Sequence, residues 1–415
     1  MIDDKPQIYF DISVLGYGHY SKKSRTGIFR ATEELLKQLS LNRNISMHFV
    51  ALQKNPLLCG QYLRAHKKIF KDIPFIDNWK LKTILLNCSW ILTEKINTTA
   101  VAALKLILKV TRKLINLLSG LFRESVDLPA IPATATIHSP YYAIPGDYRG
   151  YTKVLTVHDL MPILFPEFFT ENHILDFRNI IESLDEHTEI ICVSENTRKD
   201  LLALHLATRA RTNVCYNAAS IHQIEEKNPI SSEWRTRIPG RYILSVSTLE
   251  PRKNLMALVD AYLTIADHVD CQLVLAGTPG WEFENLLQQR ENSESILFTG
   301  YVSDSDLPWL YSNSLAFVYP SLYEGFGLPV LEAMQCGAPV ICSNSSSIPE
   351  VAGEAAIYIN PQKKEEIANA ILKVVNEPAL REKMSQRSLE QAKNFSWQKC
   401  AKETVEIYKK VQVRD

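Results

Sequence analysis

No charge of one sign prevails in this 415-residue chain: Lys and Arg together number 46, and so do Asp and Glu. The balance removes the broad basic field that nucleic-acid binding draws on, so no nucleic-acid partner is expected. Eight cysteines, at positions 59, 88, 192, 215, 271, 336, 342 and 400, show no CxxC spacing. Several lie in apolar runs, so they read as reduced, buried thiols of a cytoplasmic protein, not as a disulfide framework. No cluster of His, Cys and Glu has metal-ligand spacing, and no metal is expected. The opening MIDDKPQIYF is acidic and lacks an apolar core, so it does not read as a signal peptide. No uninterrupted apolar stretch is long enough to span a bilayer. Internal repeats and low-complexity tracts are missing as well.

What is present is a long, apolar-rich α/β pattern. The chain exceeds the roughly 250–300 residues at which single cores stop growing, so two domains of similar size are expected. Apolar residues make up 46% of it, enough for two cores. Strand and helix signals alternate as in doubly wound α/β domains. Short buried strands are expected at 8–10, 46–52, 154–157, 190–193 and 214–217. The stretch 127–144 reads as loop with one short strand at most, and the polar 220–239 reads as a linker. In the second half, strands are expected at 242–246, 272–276, 316–319 and 340–342. Helices are expected from Asn254, as cap, to about Ala266, and at 329–335 ending at Gly337. Ser347 and Glu350 have the spacing of a capping box for a further helix.

The densest chemistry lies at 319–361. Glu324 sits in a Gly-rich turn and Glu332 follows eight residues later. Gly325 and Gly327 lack a Cβ, which would leave backbone N–H groups open to a ligand. Pro329 fits the first turn of a helix, whose N-terminus suits a phosphate. Two carboxylates around a phosphate cradle describe a nucleotide-sugar site. Taken singly, Glu332 could as well complement a helix dipole while the glycines make a turn.

Glu324-Gly-Phe-Gly-Leu-Pro with Glu332 resembles the E-x7-E signature of family 4 glycosyltransferases of GT-B fold. The GAPVICSN and SIPEVAGEAA blocks resemble the same family, most closely its bacterial mannosyltransferase-like members. The resemblance runs from Ile8 to Val411 and is weaker from Ala51 to Ala135. It implies two Rossmann-like doubly wound domains facing across a cleft: 1–228 on the acceptor side, 229–395 binding the donor, and 396–415 crossing back as a helix. It also implies a retaining transfer of a hexose, with the diphosphate leaving from the face that the acceptor attacks. By that resemblance Lys253 and Arg252, in VSTLEPRKN, face the donor diphosphate. Many relatives carry Arg where Thr248 stands, so Arg252 is either the second cation or a solvated helix-start residue. Glu324 would hold sugar hydroxyls and Glu332 the ribose, while Phe326, Gly327 and Leu328 offer backbone N–H groups. His158, at the end of a strand, matches the family's catalytic-loop histidine; Asp159 orients it or caps the loop. Gly27, after Arg25 and Thr26, resembles the N-terminal glycine loop, and Val302 lies where relatives hold the nucleobase by backbone groups. Ser194 reads as an N-cap.

The donor implied is a nucleotide diphosphate sugar, GDP-mannose favoured, used without a metal. Asp304-Ser305-Asp306 spells a metal-binding DxD, but Ser303 and Asp306 fit a helix start. The acceptor implied is a glycan or lipid-linked saccharide. Two other classes share the pattern: a GT-B nucleotide-sugar epimerase and a non-catalytic scaffold of the same fold. From 101 to 122, Lys105, Lys109, Arg112, Lys113, Asn116 and Ser119 recur every three or four positions among apolar residues. That segment reads equally as a helix lying in an anionic membrane surface or as a surface helix packed on the first domain. In the first case the enzyme would sit at the inner face of the plasma membrane.

Overall fold

A computed structural model describes residues 5–20, 27–53, 55–76, 129–206, 211–221, 232–238, 240–278, 280 and 295–412 of the chain. Arg25, Thr26, Cys88 and the stripe at 101–122 lie outside these residues. Two compact units form. One takes Met1–Thr156, Glu182–Glu189 and Val405–Asp415; the other takes Val157–Ile181 and Ile190–Thr404, so the division does not fall at one point of the sequence.

The first sheet has six strands in the order β2-β1-β3-β4-β5-β6. They are β1 (Gln7–Asp11), β2 (Ser46–Val50), β3 (Thr136–Ser139), β4 (Lys153–Val157), β5 (Thr188–Cys192) and β6 (Arg211–Val214). β1 runs parallel to both β2 and β3, with Phe10 opposite Phe49 on one side and His138 on the other. Within the first unit, Tyr9, Val50, Leu52, Ile137 and Tyr148 form an apolar cluster. His138 is fully buried there between the Tyr408 hydroxyl, 2.5 Å from Nδ1, and Thr156 Oγ1, 2.9 Å from Nε2.

The second sheet reads β12-β11-β10-β7-β8-β9. Its strands are β7 (Tyr242–Val246), β8 (Gln272–Ala276), β9 (Ile296–Gly300), β10 (Ala316–Tyr319), β11 (Val340–Ser343) and β12 (Ile357–Ile359). All pairings are parallel. The strands are short runs of β-branched, aliphatic and aromatic residues, and β10 and β11 are buried along their whole length, as befits a sheet covered on both faces. Ile243, Leu275, Val318 and Ile341 meet the apolar stripe Ile367, Ile371, Val374 and Val375 of helix Lys364–Asn376, whose spacing puts those side chains on one face. Each such side chain contributes about 1.5–3 kcal/mol by leaving water.

The order of this sheet places the site. From β7 the chain builds outward through β8 and β9, then returns to lay β10 on the other side of β7. The sheet therefore has its switch point between β7 and β10, where Leu244 stands opposite Phe317. At such a point the loops leaving the two strands diverge and open a crevice at their C-terminal ends. Those loops carry Lys253 and Glu324.

Strands β7, β8 and β10 fall where the apolar runs predict them. Strands β9 and β12 escape that reading: β12 is only three residues long, and in both the buried positions are interrupted by partly exposed ones. The helix after β7 is Leu255–Leu263, shorter than expected, with a separate 3-10 turn at Ala266–His268. Asn254 precedes it at φ 56° without capping it through its side chain. None of the seven described cysteines is joined in a disulfide. No helix of the described residues is long and apolar enough to cross a membrane.

Candidate active site

Two loops supply the charge. After β7 the chain turns through Pro251–Lys253; after β10 it runs through Ser321 to the left-handed Gly327. Lys253 Nζ lies 2.5 Å from Glu324 Oε1, and each residue is only 7% exposed, so the pair is shielded from water. The same oxygen accepts the Tyr319 hydroxyl at 2.8 Å and the Ser321 hydroxyl at 2.6 Å. Lys253 also donates to the Tyr319 oxygen at 2.9 Å. Oε2 receives, among the described residues, only Arg252 Nη1 at 3.5 Å. One oxygen of Glu324 is thus saturated by the protein, while the other keeps room for a ligand hydroxyl.

Burial would raise the Glu324 carboxyl, but Lys253, Arg252 and the hydroxyl donors outweigh it and hold the group down at about 2. Burial pushes the Lys253 ammonium down, with Glu324 opposing. It lifts the Tyr319 phenol well above its ordinary range, and Glu324 adds to the rise. Arg252 is no solvated helix-start residue. Its Nε donates to Glu250 Oε2 at 2.8 Å, and despite burial the two glutamates hold its charge firmly. Glu324 is therefore a permanent acceptor, and not an acid, at neutral pH.

The two glycines of the turn play different parts. A Cβ on Gly325 would lie 1.9 Å from the His158 carbonyl oxygen, so close packing admits no larger residue there. Gly327, at φ 104°, meets nothing nearer than Ile348 Cγ1 at 3.8 Å. Among the described residues no acceptor takes the N–H groups of Phe326, Gly327 or Leu328, which stand at the start of helix Leu328–Gln335. Open N–H groups at a helix N-terminus beside two cations form an anion cradle.

His158 is half-buried, and the Thr197 hydroxyl bridges its carbonyl, at 3.4 Å, and that of Gly325, at 3.3 Å. Asp159 caps its loop by accepting the Met161 N–H at 3.0 Å. Burial raises the Asp159 carboxyl, while Arg252 and Lys253 oppose and Glu324 adds to it. His158, Arg252, Lys253 and Glu324 are accordingly neighbours. Glu332 is buried one turn into the helix and accepts the Tyr311 hydroxyl at 3.0 Å. Val302 is buried after Gly300, whose φ is 71°, and Tyr301 between them is 71% exposed. Gly27 begins helix Gly27–Ser40 in the first unit, and helix Ser13–Tyr20 lies between it and β1 in the sequence.

Asp306 occupies the N-cap position of helix Leu307–Ser312 and accepts the Ser303 hydroxyl at 2.7 Å. Among the described residues no three His, Cys, Asp or Glu side chains group to hold a metal ion. Ser194 is an N-cap, accepting the Thr197 N–H at 3.0 Å. The capping box at Ser347 does not form. The Ser347 hydroxyl donates to the Glu324 carbonyl at 2.9 Å, and the Glu350 carboxylate accepts the N–H groups of Glu195 and Asn196, each at 2.7 Å. Glu350 caps a helix 155 residues away in sequence. Tyr319, Ser321, Ser346 and Ser347, which contact Glu324, carry no periodic signal; the one clue to Tyr319 is its place at the end of an apolar strand.

Residues 227–391 match the model of the family described as Glycosyl transferases group 1. The chain is 37% identical over 282 residues to the O-antigen chain mannosyltransferase B of Escherichia coli, covering 66% of this chain and 73% of that protein. It is 30% identical over 292 residues to the serotype-specific mannosyltransferase WbdA of Escherichia coli, and that match spans 65% of this chain but only 35% of the larger protein. Among solved structures it resembles sucrose-phosphate synthase from Thermosynechococcus elongatus, with a TM-score of 0.65 at 17% identity, covering 99% of this chain and 100% of that one. Anabaena Alr3699/HepE in complex with UDP and glucose gives a TM-score of 0.63 at 17% identity, covering 98% and 100%. The structural likeness carries the fold, two Rossmann-like parallel-sheet domains of the GT-B class.

Proposed function

This chain belongs to the group 1 glycosyl transferases, and we propose that it is a retaining hexosyltransferase of the family 4 type, moving mannose from GDP-mannose to a glycan or lipid-linked saccharide. The observation that carries the reading is the Lys253–Glu324 pair, with Arg252 beside it and N–H groups around Gly327 that find no acceptor among the described residues. Lys253 and Arg252 offset the charge that grows on the leaving diphosphate, and the N–H groups of Phe326, Gly327 and Leu328 hold its oxygens. Oε2 of Glu324 takes a sugar hydroxyl, Glu332 the ribose, and the backbone at Val302 the base. His158 lies at the reacting carbon, and Gly27 approaches the donor or acceptor by its backbone. The acceptor hydroxyl gives its proton to a donor phosphate oxygen, so no carboxylate pair of the glycosidase kind is needed. The protein's own cations perform the charge compensation, and the transfer proceeds without a metal.

The relatives' names favour mannose and O-antigen synthesis, hence a cytoplasmic role in building surface polysaccharide. The basic stripe at 101–122 would bring the enzyme to the inner membrane face, where lipid-linked acceptors reside. A thermal-shift comparison of GDP, UDP and ADP tests the donor, since a ligand that binds the folded state raises apparent stability by mass action. GDP is expected to give the largest shift, and GDP-mannose to release GDP on adding acceptor. A larger shift with UDP would reassign the donor, and no shift with any of them would overturn the site.

A further inference from the structure

Among the described residues three that are not glycine have a positive φ: His205 at 55°, Asn254 at 56° and Ser346 at 53°. Two of the three flank the charges of the site. Asn254 directly follows Lys253, and Ser346 touches Glu324. A left-handed conformation costs a residue with a Cβ more than it costs glycine, least for Asn and more for Ser. Such a conformation persists where the surrounding contacts hold it.

Both side chains reach the opposite loop. Asn254 Nδ2 donates to the carbonyls of Pro320, at 3.2 Å, and Pro361, at 2.6 Å. Pro320 opens the loop that carries Glu324. Ser346 Oγ accepts the Glu324 N–H at 2.9 Å, and its neighbour Ser347 donates to the Glu324 carbonyl at the same 2.9 Å. Ser345 adds a bond to the Leu322 carbonyl at 3.0 Å. The Leu322 N–H in turn donates to the Arg252 carbonyl at 2.9 Å. Both backbone polar groups of Glu324 are thereby held from the loop after β11, and the Lys253 loop is fastened to the Glu324 loop.

We infer that Asn254 and Ser346 are positioning residues, held in a strained conformation to fix Lys253 against Glu324. Neither touches the donor; each acts through the charged residue beside it. The inference rests on the reading of this site as a nucleotide-sugar cradle. A group displaced by a fraction of an ångström loses rate before it loses binding, because geometry matters most in the transition state.

Asn254→Gly and Ser346→Gly test this, since glycine keeps the backbone conformation, relieves its strain and removes only the side-chain bonds. Release of GDP from GDP-mannose is expected to lose about ten- to a hundredfold in kcat with donor KM within about threefold of wild type. Melting temperatures should stay within a few degrees. In crystal structures of both variants the Lys253 Nζ to Glu324 Oε1 distance should lengthen beyond hydrogen-bond reach. Asn254→Asp, similar in shape but without the amide donors, should behave as the glycine variant does. Wild-type kcat with an unchanged Lys253–Glu324 distance would overturn the inference. So would a fall in melting temperature with unaltered kcat per folded molecule, which assigns both residues to stability alone. If the wild type releases no GDP from GDP-mannose, the functional reading fails, and the crystallographic distance still decides the positioning role.

Discussion

Lys253 and Glu324 share one buried ion pair, so removing either leaves the other without its main partner. Lys253→Ala is expected to lower turnover at saturating GDP-mannose by about 10²–10³-fold, the usual loss for one preorganised charge partner. Glu332→Ala should instead raise the donor KM more than it lowers kcat. Near-full activity of Lys253→Ala would remove the second sheet's crevice as the donor site. The acid limb of stability gives a second test. The Glu324 carboxyl is held at about 2 against an ordinary 4.5, chiefly by Lys253 and Arg252 overcoming burial. A depressed folded-state value stabilises the fold above the unfolded one, and that contribution drains as pH falls from about 4.5 toward 2. Glu324→Gln does not titrate, so its urea-unfolding free energy should change less over that window than the wild type's; parallel curves would exclude Glu324 as the source. The charged residues of this cluster were legible because they stand in a recognisable run. Tyr319, Ser321 and Ser346 were not, because a neutral hydroxyl at a strand end or in a loop has no pattern until β10 is laid beside β7.

Helix starts show how far local rules reach. Ser194 obeys them and caps Glu195–Ala203 through its own hydroxyl. Glu350 also serves that helix, by accepting two of its first N–H groups from a distant loop. Glu350→Ala is therefore expected to cost about 1–2 kcal/mol, in the range of a lost cap plus a favourable charge at a helix N-terminus. Chemical denaturation would measure it, and a change within experimental scatter would deny the carboxylate that role. The spacing of Ser347 and Glu350 predicted a helix start correctly at Ile348 but not the partners, since a capping box is a local motif and both side chains are claimed by tertiary contacts. Asp306 of Asp304-Ser305-Asp306 stands at the N-cap position of helix Leu307–Ser312, although its side chain makes no cap hydrogen bond. With chelator present, GDP-mannose turnover is expected to hold, and Asp304→Ala with Asp306→Ala should cost about 1 kcal/mol of stability at most. Loss of activity in chelator, restored by manganese or magnesium, would return a metal to the mechanism. Buried runs such as β7 and β8 were legible residue by residue, whereas β12 has only three residues and β9, though as long as β7 and β8, is broken by partly exposed positions.

At the scale of the whole chain, the alternation of buried strands and helices was enough to expect two doubly wound halves. The crossing from β9 back to β10 was not, because strand order is a tertiary choice that no single window encodes. Net charge is also a whole-molecule property, and here it is zero, with 46 basic and 46 acidic residues. A neutral protein is drawn to an anionic membrane only through a local concentration of cations. Lys105, Lys109, Arg112 and Lys113 provide one within the apolar segment 101–122. Each basic residue near such a surface contributes on the order of 1 kcal/mol, falling with ionic strength. Four of them with an apolar face should give reversible, salt-sensitive attachment in place of permanent insertion. Co-sedimentation with anionic vesicles should therefore show binding that weakens in high salt and in a variant carrying Lys105→Glu, Lys109→Glu, Arg112→Glu and Lys113→Glu. The charge cluster lies in the second unit, so the variant should keep its release of GDP from GDP-mannose with a soluble acceptor. If wild type and variant sediment equally with anionic and neutral vesicles, the stripe is a solvated helix face, and the acceptor must reach the enzyme without help from the membrane charge.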